Sequence, residues 1–192
     1  MKHLKLTLLA LVVVFATSCK DNKKETEETI EEEVVVEKVT EEVRAIKFEL
    51  NPKSDSNVSG TVKFTEENGE VKMEAYMNGL DEGEHAIHIH EKADCSSPDG
   101  KSTGGHWNPT AQPHGKWGDE TGYHKGDIGN FTVGADGKAE VKFATNEWCI
   151  GCGDDTKDIL GKAIIVHQGT DDFTSQPSGA AGSRVSCGGI IE

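Results

Sequence analysis

From residue 45 onward, apolar and polar positions alternate in short runs. Ala45–Leu50 sets Ile46, Phe48 and Leu50 against Lys47 and Glu49. Gly60–Thr65 sets Val62 and Phe64 against Lys63, and Val71–Met77 sets Val71, Met73, Ala75 and Met77 against polar neighbours. Such two-residue alternation marks a strand with one buried face. Glu67-Asn68-Gly69 separates the second and third runs. Asn-Gly supplies positive φ at low cost, so a hairpin is predicted there. Glu140–Ala144 follows with Val141 and Phe143, then Lys162–His167 with an unbroken Ala-Ile-Ile-Val core, then Arg184–Ile190. Asp136-Gly137 marks a further turn. Short strands, turn signals and no helical period predict an all-β sandwich or barrel. Residues 92–129 break the pattern, being rich in Gly, Pro, Ser, Asp and His. A loop that long in a compact domain requires another source of order.

The N-terminal part is organised differently. Lys2 and Lys5 precede an apolar run from Leu6 to Phe15, then Ala16, Thr17, Ser18 and Cys19. A positive start, a short apolar core and a small-residue exit predict an export signal over 1–18. A cysteine directly after the small residues resembles a bacterial lipoprotein box, with Cys19 lipidated as the mature N-terminus. Residues 19–43 are crowded with Glu, which predicts a solvated, disordered tether to a domain at 44–192. The expected location is extracytoplasmic: a membrane-anchored lipoprotein in the periplasm, or at the outer membrane or cell surface. Over 192 residues the net charge is −14, and loss of Lys2 and Lys5 takes it to −16. That balance argues against non-specific nucleic-acid binding, which needs cations against phosphates.

The histidines supply the missing order. Beyond His3 stand His85, His88, His90, His106, His114, His124 and His167. His88 and His90 lie two apart on a predicted strand and so share one face, opposite Ile87 and Ile89. His106, His114 and His124 fall in the long loop, with Asp127 three residues past the last. Imidazoles with one carboxylate and no thiolate suit zinc, copper, iron or nickel. A bound metal would order the loop. Beyond Cys19 are Cys95, Cys149, Cys152 and Cys187, an even number that permits three disulfide pairings in an exported chain. The close pair Cys149/Cys152 lacks a βαβ setting, so a local structural disulfide is preferred over a redox motif.

Residues 83–130 contain His85-Ala-Ile-His88-Ile-His90-Glu-Lys-Ala-Asp-Cys95, Gly104-Gly105-His106-Trp-Asn108-Pro109, His114-Gly115 and His124-Lys-Gly-Asp127-Ile-Gly-Asn130. Residues 161–190 contain Gly161-Lys-Ala-Ile-Ile-Val-His167 and Gly179-Ala-Ala-Gly182-Ser-Arg184-Val-Ser-Cys187-Gly. With these segments, 83–130 and 161–190 resemble copper-zinc superoxide dismutase. The resemblance implies a Greek-key β-sandwich or barrel of about eight antiparallel strands with long metal-binding and channel loops.

It also implies one copper per subunit on His88, His90, His106 and His167. One zinc would sit on His106, His114, His124 and Asp127, with His106 shared. Asp171 would link a copper histidine to a zinc histidine, and His85 would support the copper-site backbone. Cys95 would pair with Cys187, leaving Cys149 to Cys152. The implied activity is dismutation of superoxide to oxygen and hydrogen peroxide, protecting the extracytoplasmic compartment. Copper would be the redox metal and zinc the inert one. The catalytic roles would fall to Arg184, which would orient the anion, and His106, which would carry a proton. A homodimer is compatible with the resemblance, which leaves oligomeric state open. The alternative is a periplasmic copper/zinc binding or delivery protein, which needs neither a shared imidazole nor an anion-guiding arginine.

Overall fold

The alternation along the chain becomes eight antiparallel strands in the computed structural model, which describes residues 43–192. The expected export signal, Cys19 and the acidic stretch to residue 42 lie outside the described residues. The strands are β1 Arg44–Pro52, β2 Ser59–Glu67, β3 Glu70–Asn78, β4 Gly83–His90, β5 Gly129–Val133, β6 Lys138–Thr145, β7 Ala163–His167 and β8 Arg184–Gly189. Their order is β5-β4-β7-β8-β1-β2-β3-β6. The two end strands, β5 and β6, lie against each other, so the barrel is nearly closed. The strand β7 returns over a long connection to lie beside β4, a Greek-key feature. Among the described residues no helix is long and apolar enough to cross a membrane.

Local chemistry sets the hairpin of β2 and β3. Glu67 pairs with Glu70 across Asn68 and Gly69, at φ 56° and 74°. This is the predicted Asn-Gly turn. It fixes the register that sends Val62 and Phe64 inward beside Ala75 and Met73.

The two halves of the barrel bury their strands differently. In β3, Val71, Met73, Ala75 and Met77 are buried, while Glu70, Lys72 and Tyr76 are exposed. In β4 the six residues His85–His90 are all buried, and so is every residue of β7. Ile87, Ile89, Ile164 and Val166 face the common core. On the other face Ala163, Ile165 and Cys187 form a second apolar cluster with Cys95 against it. A second covered face explains the unbroken apolar run of β7.

The cover is the connection from β4 to β5. Trp107 N–H donates to Ile89 O at 2.8 Å, and Ile89 N–H donates to Gly126 O at 2.9 Å. A Cβ on Gly126 would stand 2.2 Å from Ile89 O, so only glycine permits this approach. Cys95–Cys187 then pins the start of the loop to β8. The sequence reading of 92–129 as loop needs one correction, because β5 begins at Gly129. Gly-Asn-Phe-Thr-Val carries too little alternation to announce a strand. Its pairing with β4, from Gly83↔Val133 to Ile87↔Gly129, imposes one. The last strand likewise ends at Gly189, one residue short of the expected Ile190.

The two disulfides close loops of very different size. Cys95–Cys187 spans a sequence separation of 92, Cys149–Cys152 one of 3. In the chain-entropy picture the first contributes about 4 to 5 kcal/mol and the second about 2 kcal/mol. Replacing Cys95 and Cys187 together by serine should therefore lower the urea unfolding free energy by more than twice the loss from the Cys149/Cys152 pair. Equal losses would mean that loop entropy is not what these bonds supply.

Candidate metal centre

Strand β4 carries His88 and His90 on its outer face, and the end of β7 brings His167 beside them. The loop adds His106, which forms an isolated antiparallel bridge with His90. One donor atom from each of these four lies within 4.8 Å of the others, and all four residues are buried. A second buried group, His106, His114, His124 and Asp127, meets the same condition. His106 belongs to both.

The hydrogen bonds show which ring nitrogens are already used. His88 Nε2 meets Asp171 Oδ2 at 2.9 Å, and His114 Nε2 meets Asp171 Oδ1 at 2.8 Å. His90 Nδ1 meets the Gly104 carbonyl at 3.0 Å, while its Nε2 lies 3.4 Å from His167 Nε2. His106 Nδ1 meets Asp127 Oδ1 at 2.8 Å. Left buried and unpartnered are His88 Nδ1, His167 Nδ1, His106 Nε2, His114 Nδ1 and His124 Nδ1. The last two approach Asp127 at 2.9 and 3.2 Å without hydrogen-bond geometry. Buried polar atoms without partners are costly. Cations at the two points of convergence would remove that cost. Four imidazoles suit copper, and three imidazoles with a carboxylate suit zinc. The residues present therefore fit both ions.

The supporting residues fall into place around these groups. Asp171 is 1% exposed and bridges His88 to His114. Its neighbour Asp172 is exposed and closes a local turn onto Thr174 and Ser175. Asn130 on β5 grips the Asp171 backbone in both directions, at 2.8 Å each way. A Cβ on Gly179 would stand 1.8 Å from Asp171 Oδ1, so the carboxylate occupies space that any other residue would fill. His85 lies outside both groups. Its Nδ1 is 3.1 Å from the His167 carbonyl, at the backbone of the β7 histidine. Arg184 is half-buried, with Nη1 donating to Gly100 O at 2.8 Å and to Thr103 Oγ1 at 3.0 Å. It lines a cavity of about 730 Å³ together with His90, His106, His167 and Ser178.

The sequence left Asn130, Thr103 and Gln176 without roles. Asn130 stood within a quoted segment, but its amide matters only because the fold brings Asp171 to it. Gln176, which contacts the His114 backbone, has no sequence signal at all.

Electrostatics separates the rings. Burial, followed by the neighbouring histidines, holds His90 and His167 well below the ordinary imidazole value. Burial lowers His106 to about 4 despite its contact with Asp127. Burial opposes charge on His114 too, yet Asp127 and Asp171 outweigh it and raise the ring to about 9. For the metal-free chain the signs follow from proton counts. The three lowered histidines favour folding above the ordinary value of 6.5, and that contribution is lost as pH falls below it, for His106 as pH falls through about 4. His114 acts oppositely, favouring folding below 6.5 and losing that effect as pH rises through about 9. Below 6.5 His114 is protonated whether folded or unfolded, so only the lowered histidines change their contribution there. The urea midpoint of the metal-free chain should fall between pH 6.5 and 4, and a flat midpoint would contradict the assignment of neutral, buried rings.

Known proteins share this arrangement of strands and sequence. A crystal structure of a SOD-like protein from Bacillus subtilis superposes with a TM-score of 0.67 at 32% identity, covering 76% of this chain and 97% of that one. A double mutant of a SOD-like protein from the same organism, with one tyrosine and one proline changed to histidine, gives a TM-score of 0.68 at 34% identity over the same shares. The superoxide dismutase-like protein YojM of Bacillus subtilis (strain 168) is 38% identical over 107 residues, 55% of this chain. That match spans about half of the relative, 54% of its length. Residues 58–190 match the family model for copper/zinc superoxide dismutase (SODC). The chain belongs to the copper/zinc superoxide dismutase family.

Proposed function

We propose that the protein dismutates superoxide, 2 O₂⁻ + 2 H⁺ → O₂ + H₂O₂, with copper on His88, His90, His106 and His167 and zinc on His106, His114, His124 and Asp127. The observation that carries this reading is the sharing of His106 by two buried donor groups, with Arg184 on the cavity that reaches members of both. Copper supplies a one-electron store that alternates between Cu(II) and Cu(I), and zinc supplies fixed charge without redox chemistry.

The chain's own residues do the rest. A guanidinium has five N–H donors, and the hydrogen bonds above engage only Nη1 of Arg184. Gly100 and Thr103 hold it at the cavity, and its remaining donors orient the anion. His106 Nε2, buried and without a hydrogen-bond partner, is the atom that holds a proton for the product. The whole chain is acidic, at −14, so attraction of an anion has to come from a local field, and Arg184 and Lys101 are the cations on the cavity, set against Glu91 and Asp99.

Export and anchoring belong to the same proposal. The chain would act outside the cytoplasm, held to a membrane through lipidated Cys19 with 19–43 as tether. Two disulfides in the domain favour an oxidising compartment and support this placement.

Superoxide disappearance per bound copper should be fast in a copper- and zinc-loaded protein and should collapse on copper removal. Tight occupancy of both metals with no turnover above background would instead favour the binding or delivery role. Arg184→Ala should lower kcat/KM by about 10- to 100-fold, the scale of a lost charge-assisted hydrogen bond, with metal content unchanged. The wild-type rate should also fall as ionic strength rises, because salt screens a local field. A rate indifferent to salt would remove the guiding role from Arg184.

A further inference from the structure

The loop between β7 and β8, residues 168–183, reaches the second donor group at two points. Asp171 holds the His114 ring through Nε2. Gln176 holds the His114 backbone. His114 N–H donates to Gln176 Oε1 at 2.9 Å, and Gln176 Nε2–H donates back to His114 O at 2.9 Å. A side-chain amide offers a donor and an acceptor side by side. The pair therefore reproduces the reciprocal bonds that a neighbouring strand would make. His114 lies in a stretch without strand neighbours, and it has no other backbone partner among the described residues.

The amide is presented ready-made. The Asp172 carboxylate accepts from Thr174 N–H and Ser175 N–H at 2.9 and 2.8 Å. Asp172 N–H donates to Gly179 O at 2.9 Å, and Gly179 N–H donates to Ser175 O at 2.7 Å. These bonds close the turn around Gln176 without using His114. With its ring held by Asp171 and its backbone by Gln176, His114 has little freedom left to turn Nδ1 away from Asp127.

We propose that Gln176 is a positioning residue for zinc: its amide sets the backbone of His114 and thereby the aim of His114 Nδ1, with no matching effect on the copper group. This role rests on reading the His106, His114, His124 and Asp127 group as the zinc site. Gln176 is itself exposed, so each bond competes with water and is worth only a few-fold in an equilibrium. Residues that stand behind metal ligands typically change affinity about 10- to 100-fold. The low end, about 10-fold, is expected here.

The test uses the full chain loaded with copper and zinc. Zinc and copper affinities are read separately by chelator competition for wild type, Gln176→Ala, Gln176→Glu and Gln112→Ala. Gln176→Ala should weaken zinc about 10-fold and leave copper within about twofold. Gln176→Glu keeps the acceptor but sets a carboxylate oxygen against His114 O, so it should weaken zinc at least as much. It also retains one of the two bonds and keeps the question answerable if the alanine variant unfolds. Gln112→Ala, on the same loop as His114 but not touching it, should change neither metal. Unchanged zinc affinity in both Gln176 variants, or equal weakening of both metals, would overturn this role alone. A wild-type chain that binds no zinc would overturn the metal reading and this role with it.

Discussion

Most ring nitrogens of the imidazoles packed between the outer sheet face and the long loop are buried and need a partner other than water. This constraint governs the site. One nitrogen of His88 and one of His114 are spent on the same carboxylate, Asp171, which locks the two rings relative to each other. One nitrogen of His90 is spent on the Gly104 carbonyl. The nitrogens left over converge in two groups that meet at His106. A protein evolved only for packing would have no reason to leave such atoms facing one another, since each costs about 1 to 3 kcal/mol when unpaired.

The barrel supplies the rigidity that this convergence needs. Strand β4 contributes His88 and His90 from register positions opposite Ile165 and Ala163, and β7 contributes His167 at a register shift just past Val166. The rest ride on a loop that earns its order piece by piece: the close approach of Gly126 to Ile89, the bridge between His90 and His106, and the disulfide to β8. The channel-side loop is ordered in turn by Asn130, which fixes Asp171 from the first residues of β5. Side-chain amides thus substitute for strand pairing where the chain has none. Arg184 obeys the same logic, since its guanidinium is set by Gly100 and Thr103 in the covering loop.

Much of this was legible in the chain. Alternation at Val71–Met77 and the Asn68-Gly69 turn specified a hairpin and its inward face, because a period of two admits only one burial pattern. His88 and His90 shared a face for the same reason. The strand β5 was not legible, since Gly129–Val133 acquires strand geometry by pairing with β4 and not from its own pattern. Asp171 was named by likeness to a family, and its burial and two histidine contacts set it apart from the exposed Asp172. Gln176 and Asn130 were silent, because an amide announces nothing about which backbone it will meet.

By itself the sequence determined the strand class, the turn positions, the inward faces and the inventory of metal-ligating side chains. These depend on local periodicity and residue chemistry, which need no knowledge of distant contacts. Only the tertiary structure decided which ring nitrogen of each histidine is free, which carboxylate joins the two groups, and which amides hold them in place. Those outcomes depend on atoms far apart in the chain, such as Asp171 against His88 or Gln176 against His114. They are settled by the closure of loops over a sheet, where burial forces each polar atom to find a partner.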